Sequence, residues 1–130
     1  MSSMTKREVR TDGAPAPRPF YSQGIIIGNM VYVSGSLGID PATGKFVEGT
    51  IGDRTTRILQ NVSNILESAG TSLQNAVKLN VFITDMSNFD ALNEAYAKFF
   101  TQGPHPVRTC VAVKELPFGT DVEIEASAHL

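Results

Sequence analysis

Period-two alternation near the C-terminal end constrains this chain more than any other feature. In the stretch Pro104 to Glu125, PHPVRTCVAVKELPFGTDVEIE, one face of a first run carries Val107, Thr109, Val111 and Val113. A second run carries Val122, Ile124 and Ala126 on one face, and both have the pattern of half-buried strands. Leu116-Pro117-Phe118-Gly119 supplies turn residues between them, so the stretch reads as a β-hairpin. Alternation places Arg108 and Cys110 on the other face of the first strand, and Glu123 and Glu125 on the other face of the second. A hairpin centred between Leu116 and Pro117 sets Cys110 across from Glu123 and Arg108 across from Glu125. A guanidinium, a thiol and carboxylates then share one surface.

The rest of the chain alternates between two periods. Residues 1–19 read as an N-terminal tail, because Pro15, Pro17 and Pro19 favour extended backbone, and residues 20–130 read as a single domain. Ile25 to Ile27 and Val31 to Val33 are β-branched runs joined by Gly28-Asn29, which suits a tight hairpin. Turn formers fill residues 40–44, and a short edge strand is expected from Lys45 to Val47. Thr50 and Asp53 have capping-box spacing, Ile58, Val62, Ile65, Leu66 and Ala69 recur at helical spacing, and Gly70 supplies a stop. Ala76 to Thr84 alternates again, with Val77, Leu79, Val81 and Ile83 on one face. Ser87 and Asp90 repeat the capping spacing, Phe89, Leu92, Tyr96 and Phe99 form a second apolar stripe, and Gly103-Pro104 ends that helix. The order ββ(β)αβαββ implies an α+β fold, a single mixed β-sheet with two helices on one face. The sheet's other face mixes small, polar and apolar groups, which fits burial against further copies of the chain.

Composition narrows the function classes. A chain of 130 residues that is 42% hydrophobic forms one domain with a core of its own. Its net charge of −2 offers no basic field for phosphate backbones, so nucleic acid is not an expected partner. One cysteine and two histidines exclude a disulfide framework and are too few for a structural zinc site, so no metal is expected. No apolar run reaches the about 20 residues needed to cross a bilayer. The start, MSSMTKREVRTDG, has no secretory apolar segment, and its basic residues are interrupted by Glu8 and Asp12. Cytoplasm is the expected compartment, with the mitochondrial matrix as the alternative.

The PxRxC spacing followed by an EIE strand, together with Tyr21-Ser22-Gln23, Val33-Ser34-Gly35 and KLNVFITDMSNF, resembles the Rid (YjgF) family of reactive-imine deaminases. The same family is also labelled perchloric-acid-soluble proteins or L-PSP endoribonucleases. The resemblance covers nearly the whole domain. It implies a chorismate-mutase-like fold and a homotrimer packed around a central barrel, with a cleft at each subunit junction and no cofactor. It carries a carboxylate-binding role onto Arg108 and a water-directing role onto Glu123, as the catalytic pair. Tyr21, Ser34, Asn93 and Cys110 join Arg108 as substrate-binding residues. Phe20, where relatives have a small lead-in, and Val107, where alanine is usual, depart from the pattern.

The residues alone leave alternatives open. Arg108 in an apolar strand is either paired structurally or kept for an anionic ligand, its planar fork suiting a carboxylate. Glu123 fits a solvated strand face or a bridge to Arg108, and Glu125 has an equal claim. Cys110 is more often a small buried side chain than a nucleophile. Asn93 borders the second apolar stripe, Tyr21 and Ser34 fit ordinary structural roles, and His105 and His129 read as surface residues. The family chemistry is hydrolysis of 2-imino acids, formed from 2-aminoacrylate or 2-aminocrotonate, to 2-keto acids and ammonia. A ribonuclease that inhibits translation and a non-catalytic trimeric ligand-binding or chaperone-like protein are the other two classes. The first lacks a basic stripe with interleaved aromatics and a histidine pair for acid–base work.

Overall fold

Apolar residues one helical turn apart must share a face, and in the helix α1 (Ile51–Ser68) that face is the centre of the core. Ile58, Leu59, Val62 and Leu66 are fully buried there. A computed structural model of the protein describes residues 4–130; the first three residues of the expected tail lie outside the described residues. The capping box at the start of α1 is present. The Asp53 amide donates to the Thr50 hydroxyl at 3.3 Å, and the Thr50 amide donates to the Asp53 carboxylate at 2.9 Å. Gly70, at φ +93°, ends the helix as expected of a glycine stop.

Six strands form one mixed sheet in the order β1-β2-β3-β8-β6-β7, namely β1 (Arg7–Val9), β2 (Gly24–Ile27), β3 (Met30–Ser36), β6 (Ala76–Ile83), β7 (Val107–Ala112) and β8 (Val122–His129). All neighbours are antiparallel except β6 and β7, which run parallel. Helix α1 packs on β3 and β8, and α2 (Phe89–Ala97) packs beside α1. The core face of the sheet carries Val31, Val33, Leu79, Val81, Ile83, Val122, Ile124 and Ala126. The Gly28-Asn29 connection does join β2 to β3 as a tight hairpin, with Ile27 paired to Met30 and Gly28 at φ +56°.

The C-terminal hairpin is not formed. Strand β6 lies between β7 and β8 and pairs with both, so Cys110 does not face Glu123 and Arg108 does not face Glu125. Alternation assigns each strand two faces but leaves its neighbour undetermined. Here the run joins β6 through a parallel crossover that contains α2, the connection that parallel strands require. Registers then fix the faces. Arg108 aligns with Leu79, and Cys110 with Val81, on the helix side of the sheet. Glu123 aligns with Phe82, and Glu125 with Asn80, on the open side.

Smaller differences have local causes. The tail contains the edge strand β1, held because the buried Gln23 amide accepts from the Thr11 amide and donates to the carbonyls of Thr11, Ala14 and Pro15. Strand β5 (Lys45–Phe46) pairs with β4 (Ile39–Asp40) in a separate two-stranded ribbon and not at the edge of the main sheet. A register shift between Ala76 and Lys78 turns Val77 out of the core. Helix α2 ends at Ala97, well before Gly103, and Asp85 caps the short 3-10 turn ahead of it by accepting from the Ser87 amide.

Arg54, in the first turn of α1, donates through Nε and a terminal nitrogen to both oxygens of Asp121, each at 2.8 Å, and through its other terminal nitrogen to the Gly49 carbonyl at 2.9 Å. The fork ties α1 to the start of β8, two residues before Glu123. The Arg54 hydrogen bonds hold the Asp121 carboxyl below its usual range. The sign follows: stability from this pair is present above the unfolded aspartate pKa of about 3.9 and is lost as pH falls through that value and then the folded one. With side chains 20% and 26% exposed, the pair contributes about 1 kcal/mol, near the upper end for solvent-screened bridges. Urea unfolding of wild type and Asp121→Asn at pH 7 and pH 3 is expected to show a destabilisation at pH 7 that shrinks at pH 3.

Candidate functional site

Two clusters form, one on each side of the sheet. The first grows from a half-buried face of α2. Phe89, Asn93 and Tyr96 recur at helical spacing, so ring, amide and ring line one stripe opposite the edge strand β7. Arg108 reaches across: one terminal nitrogen donates to the Asn93 amide oxygen at 2.7 Å. Its guanidinium carbon lies 4.8 Å from the centre of the Tyr96 ring and 5.7 Å from that of Phe89. Aromatic faces and the amide fix the plane of the fork. Among the described residues Arg108 has no carboxylate partner; its partners are the Asn93 amide and the two rings. Cys110 stands two residues on along the same face. Burial pushes its thiol up, and Arg108 only partly offsets this, so it is a neutral thiol at ordinary pH.

The second cluster surrounds Glu123. Its carboxyl is half-buried on the open face beside the irregularity in β3, where the pairing with β8 shifts between Val33 and Ser36. That bulge contains Ser34 and Gly35. A Cβ on Gly35 would lie 2.8 Å from a Glu123 carboxylate oxygen, so glycine is what admits the side chain. The Ser34 hydroxyl donates to the Ser22 carbonyl at 2.5 Å and its amide donates to the Gln23 carbonyl at 3.0 Å, which holds the Tyr21-Ser22-Gln23 segment against the bulge. Tyr21, Ser34, Gly35 and Glu123 line a cleft of about 740 Å³. Burial raises the Glu123 carboxyl above its ordinary range, and the like charge of Glu125 adds to the rise. Glu125 is itself engaged, accepting from the Asn80 amide at 3.0 Å.

The expected site residues therefore fall into two groups. Asn93, Arg108 and Cys110 assemble on the helix side, whereas Tyr21, Ser34 and Glu123 assemble on the open side, and the shared surface expected for Arg108 and Glu123 does not exist within one chain. Sequence reasoning missed Gly35 as the space for Glu123, and Phe89 and Tyr96 as the aromatic bed of Arg108. The positions of Phe89 and Tyr96 on either side of Asn93, at helical spacing, were the available signal. Among the described residues no group of three or more histidine, cysteine, aspartate or glutamate side chains is placed to hold a metal ion.

If the thiol is part of the wall and not a nucleophile, Cys110→Ala is expected to retain turnover within about tenfold, since it removes only packing against the arginine. Mass spectrometry after reaction should find no adduct on the wild-type thiol; a trapped adduct with a dead alanine variant would assign it a covalent role.

Fold and clusters together define an α+β protein with an arginine held by an amide and two rings on one side of its sheet and a half-buried carboxyl on the other. The chain belongs to the Rid (YjgF) family: residues 11–130 match the family model described as Endoribonuclease L-PSP. It is 40% identical over 128 residues to a goat (Capra hircus) protein named 2-iminobutanoate/2-iminopropanoate deaminase, covering 98% of this chain and 93% of that one. Over 129 residues it is 40% identical to Reactive Intermediate Deaminase A, chloroplastic, of Arabidopsis thaliana, covering 99% of this chain and 68% of that one. The crystal structure of E. coli TdcF with bound serine superposes with a TM-score of 0.91 at 37% identity, covering 95% of this chain and 98% of that one.

Proposed function

We propose that the protein hydrolyses 2-iminopropanoate and 2-iminobutanoate, the tautomers of 2-aminoacrylate and 2-aminocrotonate, to 2-keto acids and ammonia. The observation that carries this reading is the split between Arg108, held by an amide and two rings with no carboxylate bridge among the described residues, and a Glu123 carboxyl of raised pKa. Each is half of what the reaction uses, and relatives at about 40% identity are named for this reaction. The substrate carboxylate docks on the Arg108 fork. Water, oriented and deprotonated by Glu123, adds to the imine carbon; the C–N π electrons go to nitrogen, which takes up a proton. The resulting carbinolamine gives up its hydroxyl proton, its nitrogen gains one by way of Glu123, and ammonia leaves as the C–N bond breaks and the C=O bond forms.

The two halves come together between copies. Distinct surfaces that meet head to tail generate a ring when the rotation between copies closes, and the reading here is a homotrimer around a central barrel with three junction sites. Each junction takes Arg108, Asn93 and Cys110 from one copy and Tyr21, Ser34 and Glu123 from the next. Exposed Val107, Val111 and Tyr32 on the open sheet face give the ring an apolar contact. Light scattering at micromolar concentration is expected to give three times the chain mass, and a stable monomer would remove the junction site. Among the described residues no helix is long and apolar enough to cross a membrane; the cytosol is the proposed compartment, with the mitochondrial matrix second. Keto-acid formation from enzymatically generated 2-aminoacrylate tests the activity directly. An RNA-cleaving role has less support, since His105 lies in the loop before β7, His129 ends β8, and neither is hydrogen-bonded to a side-chain carboxylate among the described residues.

A further inference from the structure

In the single chain the cleft beside Glu123 is larger than a three-carbon imino acid, and much of its wall away from Glu123 is apolar. Its volume of about 740 Å³ lies in the range of roughly 300–1,000 Å³ that encloses ligands of drug size. One wall comes from the segment running from β3 into the β4–β5 ribbon, with Leu37, Ile39 and Pro41. It continues through the loop before β8, with Pro117 and Phe118.

Phe118 is the unusual member. It is the one non-glycine residue at positive φ among the described residues, at φ +60° and ψ +18°. A bulky side chain rarely adopts this conformation. The side chain is not drawn there by the core, since it is 73% exposed. Instead the turn lifts the ring into the cleft, and Phe46 of the ribbon supports it edge to face, with centroids 6.3 Å apart and planes at 64°. A costly conformation that exposes an aromatic ring at a cleft points to use of that ring. Arg54 clamps Asp121, three residues after Phe118 and two before Glu123, and so anchors the segment that carries both.

We propose that Phe118, supported by Phe46, is the side-chain selectivity wall of this site, favouring 2-imino acids with large apolar or aromatic side chains over 2-iminopropanoate. The proposal rests on the deaminase reading and names the substrate class within it. Glu123 and the arginine hold the common imino-acid head, and the remaining volume receives whatever extends from the β carbon. In such a pocket one methylene already discriminates by about 10- to 200-fold, so a phenyl or isobutyl group that reaches Phe118 dominates the choice.

The experiment measures kcat/KM on two imines made in situ: 2-imino-3-phenylpropanoate from phenylalanine with an amino-acid oxidase, and 2-iminopropanoate from serine with a pyridoxal-phosphate lyase. Wild type is expected to favour the phenyl imine at least tenfold. Phe118→Ala should lower that ratio at least tenfold, Phe118→Leu should keep part of it, and Phe46→Ala should lower it by less than Phe118→Ala. The ratio distinguishes selectivity from general damage, which lowers both substrates together. A ratio near or below one in wild type, or an unchanged ratio in folded Phe118→Ala and Phe46→Ala, overturns the proposal. Calorimetric binding of phenylpyruvate and pyruvate supplies a second arm. If no imine is hydrolysed but phenylpyruvate binds more tightly to wild type and loses that advantage in Phe118→Ala, the deaminase reading falls and the wall stands.

Discussion

Replacing Arg108 with alanine is expected to lower kcat/KM for 2-iminopropanoate by about 10²- to 10⁴-fold, since two charge-assisted hydrogen bonds to the substrate carboxylate contribute about 1.5 to 3 kcal/mol each and every 1.4 kcal/mol is a factor of ten. The fork is already oriented. Asn93 holds one terminal nitrogen and the Tyr96 and Phe89 rings fix its plane, so little ordering remains for the substrate to impose. Lysine at 108 keeps the charge but has neither the planar fork nor the stacking, and should recover only a small part of the loss. Binding of pyruvate should fall in parallel, which places the defect in anchoring. Near-normal turnover in a trimeric Arg108→Ala protein would defeat the assignment.

How far such a site can be read from the chain depends on which physical signal carries each part. Thr50 and Asp53 announced the start of α1 because a capping box is local, and Gly28-Asn29 announced its hairpin for the same reason. Which residues share a face on β7 and β8 was also legible, since alternation is a property of one strand; that the valine face of β7 is the exposed one was not. What alternation cannot encode is the neighbour. Arg108 and Glu123 were expected on one surface because their strands are consecutive, and the insertion of β6 between those strands sent them to opposite sides of the sheet. The parallel crossover that causes this depends on α2 packing beside α1, a contact between stripes far apart in sequence. Gly35 was illegible for a similar reason. Its role is a space for the side chain of a residue 88 positions later, visible only once the β3 bulge and β8 are in register.

The misplaced hairpin bears on the proposed assembly. A site contained in a single chain would need no partner, whereas the proposed joint use of Arg108 and Glu123, on opposite sides of the sheet, requires two copies. Mixing tests this without a structure of the oligomer. In a three-membered ring each junction takes one half from each neighbour, so random mixing of Arg108→Ala and Glu123→Gln chains restores both wild-type groups at about a quarter of the junctions. Activity that appears on co-refolding two inactive variants supports the shared site; no recovery from well-mixed trimers contradicts it.

Replacing Glu123 with glutamine is expected to slow kcat by about 10²- to 10⁴-fold, the usual contribution of a positioned general base, while 2-keto acid binding changes little. The split follows from the geometry: the carboxylate anchor, Arg108, is untouched, and glutamine still fits the space that Gly35 leaves beside the bulge. It retains an oxygen to orient water but cannot accept its proton. The pH profile gives an independent signature. Burial, with the like charge of Glu125, raises the Glu123 pKa, and this brings the base nearer to working pH and strengthens it. Protonation on acidification removes the base, so kcat/KM of wild type should fall on the acid side at a pH above the ordinary glutamate range. Glu125→Gln removes the like charge and should move that limb to lower pH with turnover at neutral pH largely retained, since Glu125 is engaged by Asn80. In Glu123→Gln the limb should vanish along with most of the rate. An unchanged rate in Glu123→Gln, or an acid limb that persists in it, would move the water-directing role to another group.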